Sequence, residues 1–336
     1  MGSPPHEARR SSNARRPPVM GHDERAMRMI PLPELGAIAE CLAEIGATAQ
    51  VAAVIEGCLR KPEAERLTQE FATWCRAPME GEPPYRFLMG SPVTELLREE
   101  HEAQIEMELS APCWVMPAPV TYAMWGLMAD KADHVTRWGK AERVPVTHVS
   151  WFEASLYARW LDHWLRKHLP AVIPPGYQVA LPTEAQREFF TRAGTTTAFW
   201  SGEGWSDLAR VAWHDGNSGG QLHAVRELPP NAWGLHDVHG NVAEWCRSRF
   251  DADRAGEMDG PGTARGRRRA IRGGSFLDCH WWMRESGRSG GDPSGCRSAY
   301  CRPESPVRSF DDVGFRLVLS GPGGTAGRSR SAKAPA

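Results

Sequence analysis

The stretch LPTEAQREFFTRAG, residues 181–194, carries its own start and stop. Thr183 and Gln186 stand at capping-box spacing, where hydroxyl and side-chain amide each satisfy a free N–H of the first helical turn. Phe189 and Phe190 supply a side to bury, and Gly194 a C-terminal stop. Upstream, SWFEASLYARWLDHWLRKHL (150–169) repeats the device with Ser150 and Glu153. Ala154, Trp160, Leu161, Trp164 and Leu165 then form one apolar face, and Pro170 ends the helix. Downstream, residues 199–320 are rich in Gly, Pro, Asn and Trp, with short strand-like runs such as RRAIRGG and VGFRLVL. From about Tyr85 onward the pattern is therefore short strands, turns and a few helices.

The chain has 336 residues, 41 % hydrophobic and 24 % charged, which suits one large globular domain and a small one. A formal net charge of −1 gives no global field toward nucleic acid or a membrane surface. Fourteen tryptophans against five tyrosines predict several buried indoles. None of the eight cysteines (41, 58, 75, 113, 246, 279, 296 and 301) forms a CxxC pair, which argues against a zinc ribbon or a thioredoxin-type motif. No apolar run approaches the roughly 18 residues of a membrane span. The arginine-bearing N-terminus lacks the apolar core of a secretory signal. These features predict a cytoplasmic protein with reduced thiols.

Residues 1–27 read as a basic, disordered tail, and residues 321–336 likewise. Residues 28–77 read as a small all-helical unit. Ile38, Leu42 and Ile45, then Val51, Ile55, Cys58 and Leu59, then Leu67, Phe71 and Trp74 recur at helical spacing. That unit offers a face for packing or for a partner helix. The main domain is expected over residues 78–320.

In order along that domain stand FLMGS (87–91), APVTYAMW (118–125), VPVTHVSWFEASLYARWL (144–161), LPTEAQREFFTRAG, NSGG (217–220), PPNAWGLHDVHGNVAEWC (229–246), RAIRGGSF (269–276) and DVGFRLV (312–318). Together they resemble the formylglycine-generating enzyme, or sulfatase-modifying-factor, family over residues 80–320. The resemblance implies a C-type-lectin-like α+β fold with little regular structure. It also implies a divided function. Some members oxidise a sulfatase cysteine with copper held by two thiolates. Others are iron-dependent sulfoxide synthases with an added helical domain. Others only bind ligands, including modules of bacterial conflict systems, so the fold alone does not settle the activity.

The oxidase reading places a Cys-His pair shortly after GGS and a second cysteine five positions on. Here Ser275, Cys279 and His280 are kept, but Arg284 holds the second cysteine position. Two thiolates suit Cu(I), whereas a guanidinium stays protonated and cannot ligate. Cys296 or Cys301 would have to serve as substitute, against the plain alternative of small buried hydrophobes. Ala243 replaces the tryptophan of the family's GNxWEW, which should open the pocket beside it. Trp281, Trp282, Arg284 and Tyr300 are candidate ligand-binding anchors. The resemblance further implies a structural Ca2+ on Asn241, the Val242 carbonyl and Glu244, an oxygen set that suits a hard cation. The alternative is a buried Asn/Glu pair satisfied by the protein itself. An iron site is disfavoured, since residues 31–77 hold no histidine and His236 and His239 fall in a turn. The run RGRRRAIR (265–272) fits a solvated hairpin edge better than a nucleic-acid contact. The expected function is a ligand- or protein-recognition module lacking the two-cysteine copper centre, coupled to a protein partner through its N-terminal helices. The alternative is a copper-dependent cysteine oxidase.

Overall fold

The computed structural model describes residues 71–78, 80–127, 142–169, 172–250, 268–278, 294–321 and the backbone of 327–328. The two capped segments are helices. α2 (Trp151–His168) starts at Ser150, whose hydroxyl accepts from Glu153 N–H while the Glu153 carboxylate accepts from Ser150 N–H. α3 (Glu184–Arg192) starts at Thr183 with the reciprocal Gln186 bond. Gly194 stands just past the C-cap at φ 92°, where the stop was expected. Ala193 takes the left-handed conformation itself, at φ 46°, one residue ahead of Gly194. Two single-turn helices, α1 (Tyr122–Trp125) and α4 (Trp205–Leu208), complete the α-helical set among the described residues.

Three small sheets surround these helices. The first joins β1 (Cys75–Ala77), β4 (Cys113–Val115), β10 (Val318–Ser320) and β5 (Gln178–Ala180), all antiparallel, and so ties the start of the domain to its end. The second contains β2 (Tyr85–Met89) and β3 (Ile105–Leu109), with β11 (Gly327–Arg328) on its other edge. The third runs β8 (Cys301–Glu304), β7 (Arg269–Arg272), β6 (Ala243–Arg249), β9 (Val313–Gly314), with β6 and β9 parallel. The architecture is α+β with short elements and long connections.

The main core packs α2 against the first and third sheets. Trp74, Trp125, Trp151, Trp160, Trp164 and Trp245 are all buried there with Tyr157 and Phe315, which accounts for much of the tryptophan content. Their ring nitrogens need partners inside. Trp245 Nε1 donates to Val149 O at 2.9 Å and Trp151 Nε1 to Cys246 O at 2.9 Å, fastening the start of α2 to β6.

Two expected boundaries move. Cys75–Ala77 pairs with β4 and Trp74 is buried in the main core, so the packed domain begins before residue 78. The rest of the expected helical unit, residues 28–70, lies outside the described residues, as does the tail 1–27. Gly327–Arg328, within the stretch expected as a tail, pairs with β3. Ser150→Ala removes one half of the α2 capping box and should lower unfolding free energy by about 1 kcal/mol, read from a denaturant midpoint. An unchanged midpoint would show that the cap contributes nothing.

Candidate functional site

The sequence RGGS, Arg272–Ser275, leaves β7 and turns sharply, its first two residues against α3 and its last two against Cys296 and Asp312. Arg272 is 2 % exposed and pairs with Glu184 at 2.6 Å and Glu188 at 3.0 Å on α3. Gly273 has φ 100°, and a Cβ there would come within 2.5 Å of Arg187 Nη2. Gly274 has φ 68°, and a Cβ there would meet Cys296 Sγ at 2.5 Å. Both positions therefore need glycine. Ser275 is fully buried. Its Oγ donates to Asp312 Oδ2 at 3.2 Å and accepts from Leu277 N–H at 3.2 Å, while its own N–H reaches the Asp278 carboxylate.

A polar cluster results around Ser275. Asp278 and Asp312 flank Ser275, and Arg302 Nη1 lies 3.5 Å from Asp312 Oδ2. Burial, then the neighbouring charge of Asp312, pushes the Asp278 carboxyl up to about 6. Tyr300 is raised from its ordinary value by burial first and by Asp278 second. Asp278 Oδ1 also crowds Gly295, where a Cβ would approach to 2.6 Å. Asp278 thus bridges the residues just before and just after the segment 279–293. Beside the cluster, Ala243, Ile271, Arg272, Gly274, Asp278, Tyr300 and Arg302 line a cavity of about 10 Å³. Ala243 does leave a space, as its replacement of an indole predicts, but the room is for a single water.

The expected thiols are dispersed. Cys279, with His280, Trp281, Trp282 and Arg284, lies outside the described residues. Cys296 is fully buried among Ala198, Phe199, Leu208 and Ala212. Burial raises its thiol well above the usual value, and Asp278 adds to the shift. Cys301 begins β8 and packs in a different apolar cluster with Cys246 and Ala270. Both behave as small hydrophobes that fill space. Tyr300 lines the cavity and is half-buried.

The oxygen set expected to hold Ca2+ does not fit the ion. Glu244 is fully buried, and its carboxylate accepts from Arg187 Nε at 2.9 Å and from Arg316 Nη2 at 3.0 Å. Asn241 Oδ1 accepts from His223 N–H at 3.1 Å, and its amide donates to His223 O at 3.1 Å and Asp237 Oδ1 at 3.3 Å. Val242 is buried with Val144, Leu222 and Phe276. A divalent cation beside Glu244 would face two guanidiniums of its own sign. Among the described residues no group of three or more His, Cys, Asp or Glu is placed to hold a metal. His236 Nδ1 contacts Leu228 O at 2.8 Å. His239 is buried, its imidazole pulled down to about 3 by burial and then by Arg187, and its Nε2 accepts from Trp200 N–H at 3.2 Å. His236 thus braces the turn, while His239 ties it to residues 199–200.

Sequence reading missed Asp278, Asp312, Arg302 and the α3 ion pairs. The Ser275–Asp278 pair did leave a signal, because S-x-x-D is the spacing of a reciprocal side-chain and backbone bond. The ion pairs of α3 with Glu244 and Arg272 cross long sequence separations and leave none.

Three small sheets, two main helices and a turn-built site beside β7 define a C-type-lectin-like scaffold of the formylglycine-generating type. The chain belongs to the sulfatase-modifying factor enzyme 1-like domain family, whose pattern matches residues 84–320. It is 32 % identical over 190 residues to the formylglycine-generating enzyme of Thermomonospora curvata, covering 51 % of this chain and 54 % of that enzyme. It is 27 % identical over 227 residues to the inactive C-alpha-formylglycine-generating enzyme 2 of Mus musculus, covering 61 % and 59 %. The chain thus spans little more than half the length of these relatives. Treponema denticola variable protein 1 shares the fold, with a TM-score of 0.55 and 22 % identity over 73 % of this chain and 94 % of that one. Among the described residues no helix is long and apolar enough to cross a membrane.

Two measurements check this site. Glu244→Gln leaves Arg187 and Arg316 buried without their shared anion and should destabilise the fold by about 3–5 kcal/mol. The parent protein should melt at the same temperature with Ca2+ or EDTA, because a ligand that does not bind the folded state cannot stabilise it. A calcium-dependent rise lost in Glu244→Gln would overturn the misfit. For Asp278, the folded-state value of about 6 stands above the ordinary 3.8, so the folded chain holds an extra proton between them. Stability attributable to this group falls as pH rises through that window, and the penalty is complete above it. Asp278→Asn keeps an acceptor for Ser275 N–H without ionising, so its stability relative to the parent should improve from about pH 4 to about pH 7. Parallel stability curves would refute the raised carboxyl.

Proposed function

We propose that this chain is a cytoplasmic ligand- or protein-recognition module on a formylglycine-generating-type scaffold, without the two-thiolate copper chemistry of the oxidases. The observation that carries the reading is the use made of the residues an oxidase would need. Ser275 is bonded to Asp312, and Cys296 is packed against Gly274 inside an apolar cluster. The thiolate is the form that ligates or attacks, and a thiol raised by burial seldom supplies it. Between these residues in sequence, the segment 279–293 carries Trp281, Trp282 and Arg284 as anchors for a protein or peptide partner. Residues 28–70 would couple the module to a second, helical partner. The mouse relative named inactive supports the view that likeness of this degree does not bring the activity with it.

The test is incubation with Cu(I), oxygen and a sulfatase-type cysteine peptide, followed by aldehyde detection. The expected result is no formylglycine. Aldehyde that disappears in Cys279→Ser would establish the oxidase instead, with Cys279 and one further thiol as its copper ligands.

A further inference from the structure

Residues 92–98 form a surface loop between the end of β2 and the short 3-10 turn Glu100–Glu102. None of them is fully buried, and Val93 and Leu96 are 86 % and 68 % exposed. Apolar burial therefore holds little of this loop in place. Leu97 stands at φ 60°, a conformation that a bulky L-residue rarely adopts. Such strain persists only where the surroundings fix it.

One buried side chain does the fixing. Arg297 Nη2 donates to Leu97 O at 2.7 Å, and Nη1 donates to Glu95 Oε1 at 2.7 Å and to Glu102 Oε2 at 2.7 Å. The two carboxylates are not equally served. Glu102 also accepts from Arg297 Nη2 at 2.9 Å, Ser91 Oγ at 2.9 Å and Glu99 N–H at 3.3 Å. Among the described residues the Glu95 carboxylate has Arg297 Nη1 alone, and shares it. The Glu95 side chain is only 5 % exposed. Arg192 on α3 is the other cation that acts on it, and Arg192 is paired with Glu188 at 2.9 Å. Closing the loop thus buries two carboxylates on one guanidinium, and Glu95 is the one with fewer donors.

We propose that this arginine staple is a pH-sensitive latch, holding loop 92–98 closed while Glu95 is protonated and loosening as Glu95 ionises. An ionised Glu95 gains from Arg297, but in the closed loop it loses water and meets Glu102 on the same nitrogen. In an open loop it regains water. Burial is the largest effect and raises the Glu95 carboxyl above its ordinary 4.5, with Arg297 and Arg192 opposing the rise and Glu102 adding to it. The closed loop therefore binds the proton more tightly than the open one. The stability this gives to closure is fully present below the ordinary value and is lost as the pH rises through the closed-state value. A protonated Glu95 keeps an acceptor for Arg297 Nη1, so the staple survives protonation. Opening also relieves the strain at Leu97 and carries Val93 and Leu96 with the loop. The latch is independent of the oxidase question, since formylglycine production would leave it intact.

The test is hydrogen exchange on the full chain, read at the amides of Glu95 and Arg98, which bond within the loop to Pro92 O and Glu95 O. Rates are divided by the chemical exchange rate at each pH, and amides of α2 report opening of the whole domain. From about pH 4 to about pH 8, protection of the two loop amides should fall at least about threefold relative to α2. Glu95→Gln keeps an acceptor for Arg297 and cannot ionise, so its loop should stay protected over the same range. A flat profile in the parent protein would overturn the latch, as would a Glu95→Gln profile parallel to the parent's. A Glu95→Gln loop that is open at every pH would also overturn it, by showing that the ion pair itself keeps the loop closed.

Discussion

Every residue of α3 is buried, and four of its nine are charged. Charges taken out of water must be matched inside or the helix cannot sit there. Arg187 is answered by Glu244 on β6, which Arg316 also reaches from the segment leading into β10. Glu188 is answered by Arg192 on the next turn and by Arg272 on β7, and Glu184 by Arg272 again. One helix therefore requires that β6, β7 and the approach to β10 arrive together, each bringing a particular charge. Burial pulls the Arg187 guanidinium below its usual value and the Glu244 carboxylate opposes the shift, so the pairing preserves the charge. The same network makes the expected calcium set a poor fit, because the anion that would attract the ion already has two cations.

The turn after β7 inherits its geometry from this network. Arg272 is fixed by α3, Gly273 leaves space for Arg187, and Gly274 leaves space for Cys296. Ser275 and Asp278 then close the turn, and Gly295 lies against Asp278 on the return. The neighbouring Arg297 extends the support to the other side of the domain. It is 1 % exposed and bonds Glu95 at 2.7 Å, Glu102 at 2.7 Å and Leu97 O at 2.7 Å, while Ser91 Oγ donates to Glu102 at 2.9 Å. The residues on both sides of the segment 279–293 are thus held by buried polar contacts. Such contacts give positional precision, because a buried donor or acceptor left unmade is costly.

What the sequence made legible follows from the range of the interactions. The boxes at Ser150 and Thr183 close over three residues, so composition and spacing reveal them. The apolar face of α2 is periodic and equally plain. The glycine stop of α3 is equally local, whereas the left-handed conformation of Ala193 ahead of it leaves no sequence signal. The start of the domain was placed late because Phe71 and Trp74 keep helical spacing while Trp74 is drawn into the core of α2. The partners of Arg187 and Glu184 lie 57 and 88 residues away, so local spacing does not reveal them. The family's motifs located the RGGS turn and its serine, but the roles of Asp278 and Asp312 depend on contacts the motifs do not encode.

The scaffold's cohesion comes from tryptophan packing around α2 and the ion network around α3, and the described contacts of neither depend on a side chain from residues 279–293. The composition of that segment can then change at little expense to the fold, provided Asp278 and Gly295 still meet beneath it. A scaffold built in this way can carry a thiol pair, an aromatic recognition surface or neither, with the same core. Membership of the family consequently fixes the platform, while chemistry is decided by the few side chains set on top of it. In this chain the residues at the base of the segment are turned inward, toward Asp312, Gly274 and Glu102, where they hold the platform rigid. Side chains presented from a rigid platform need less ordering on binding, and ordering subtracts from affinity.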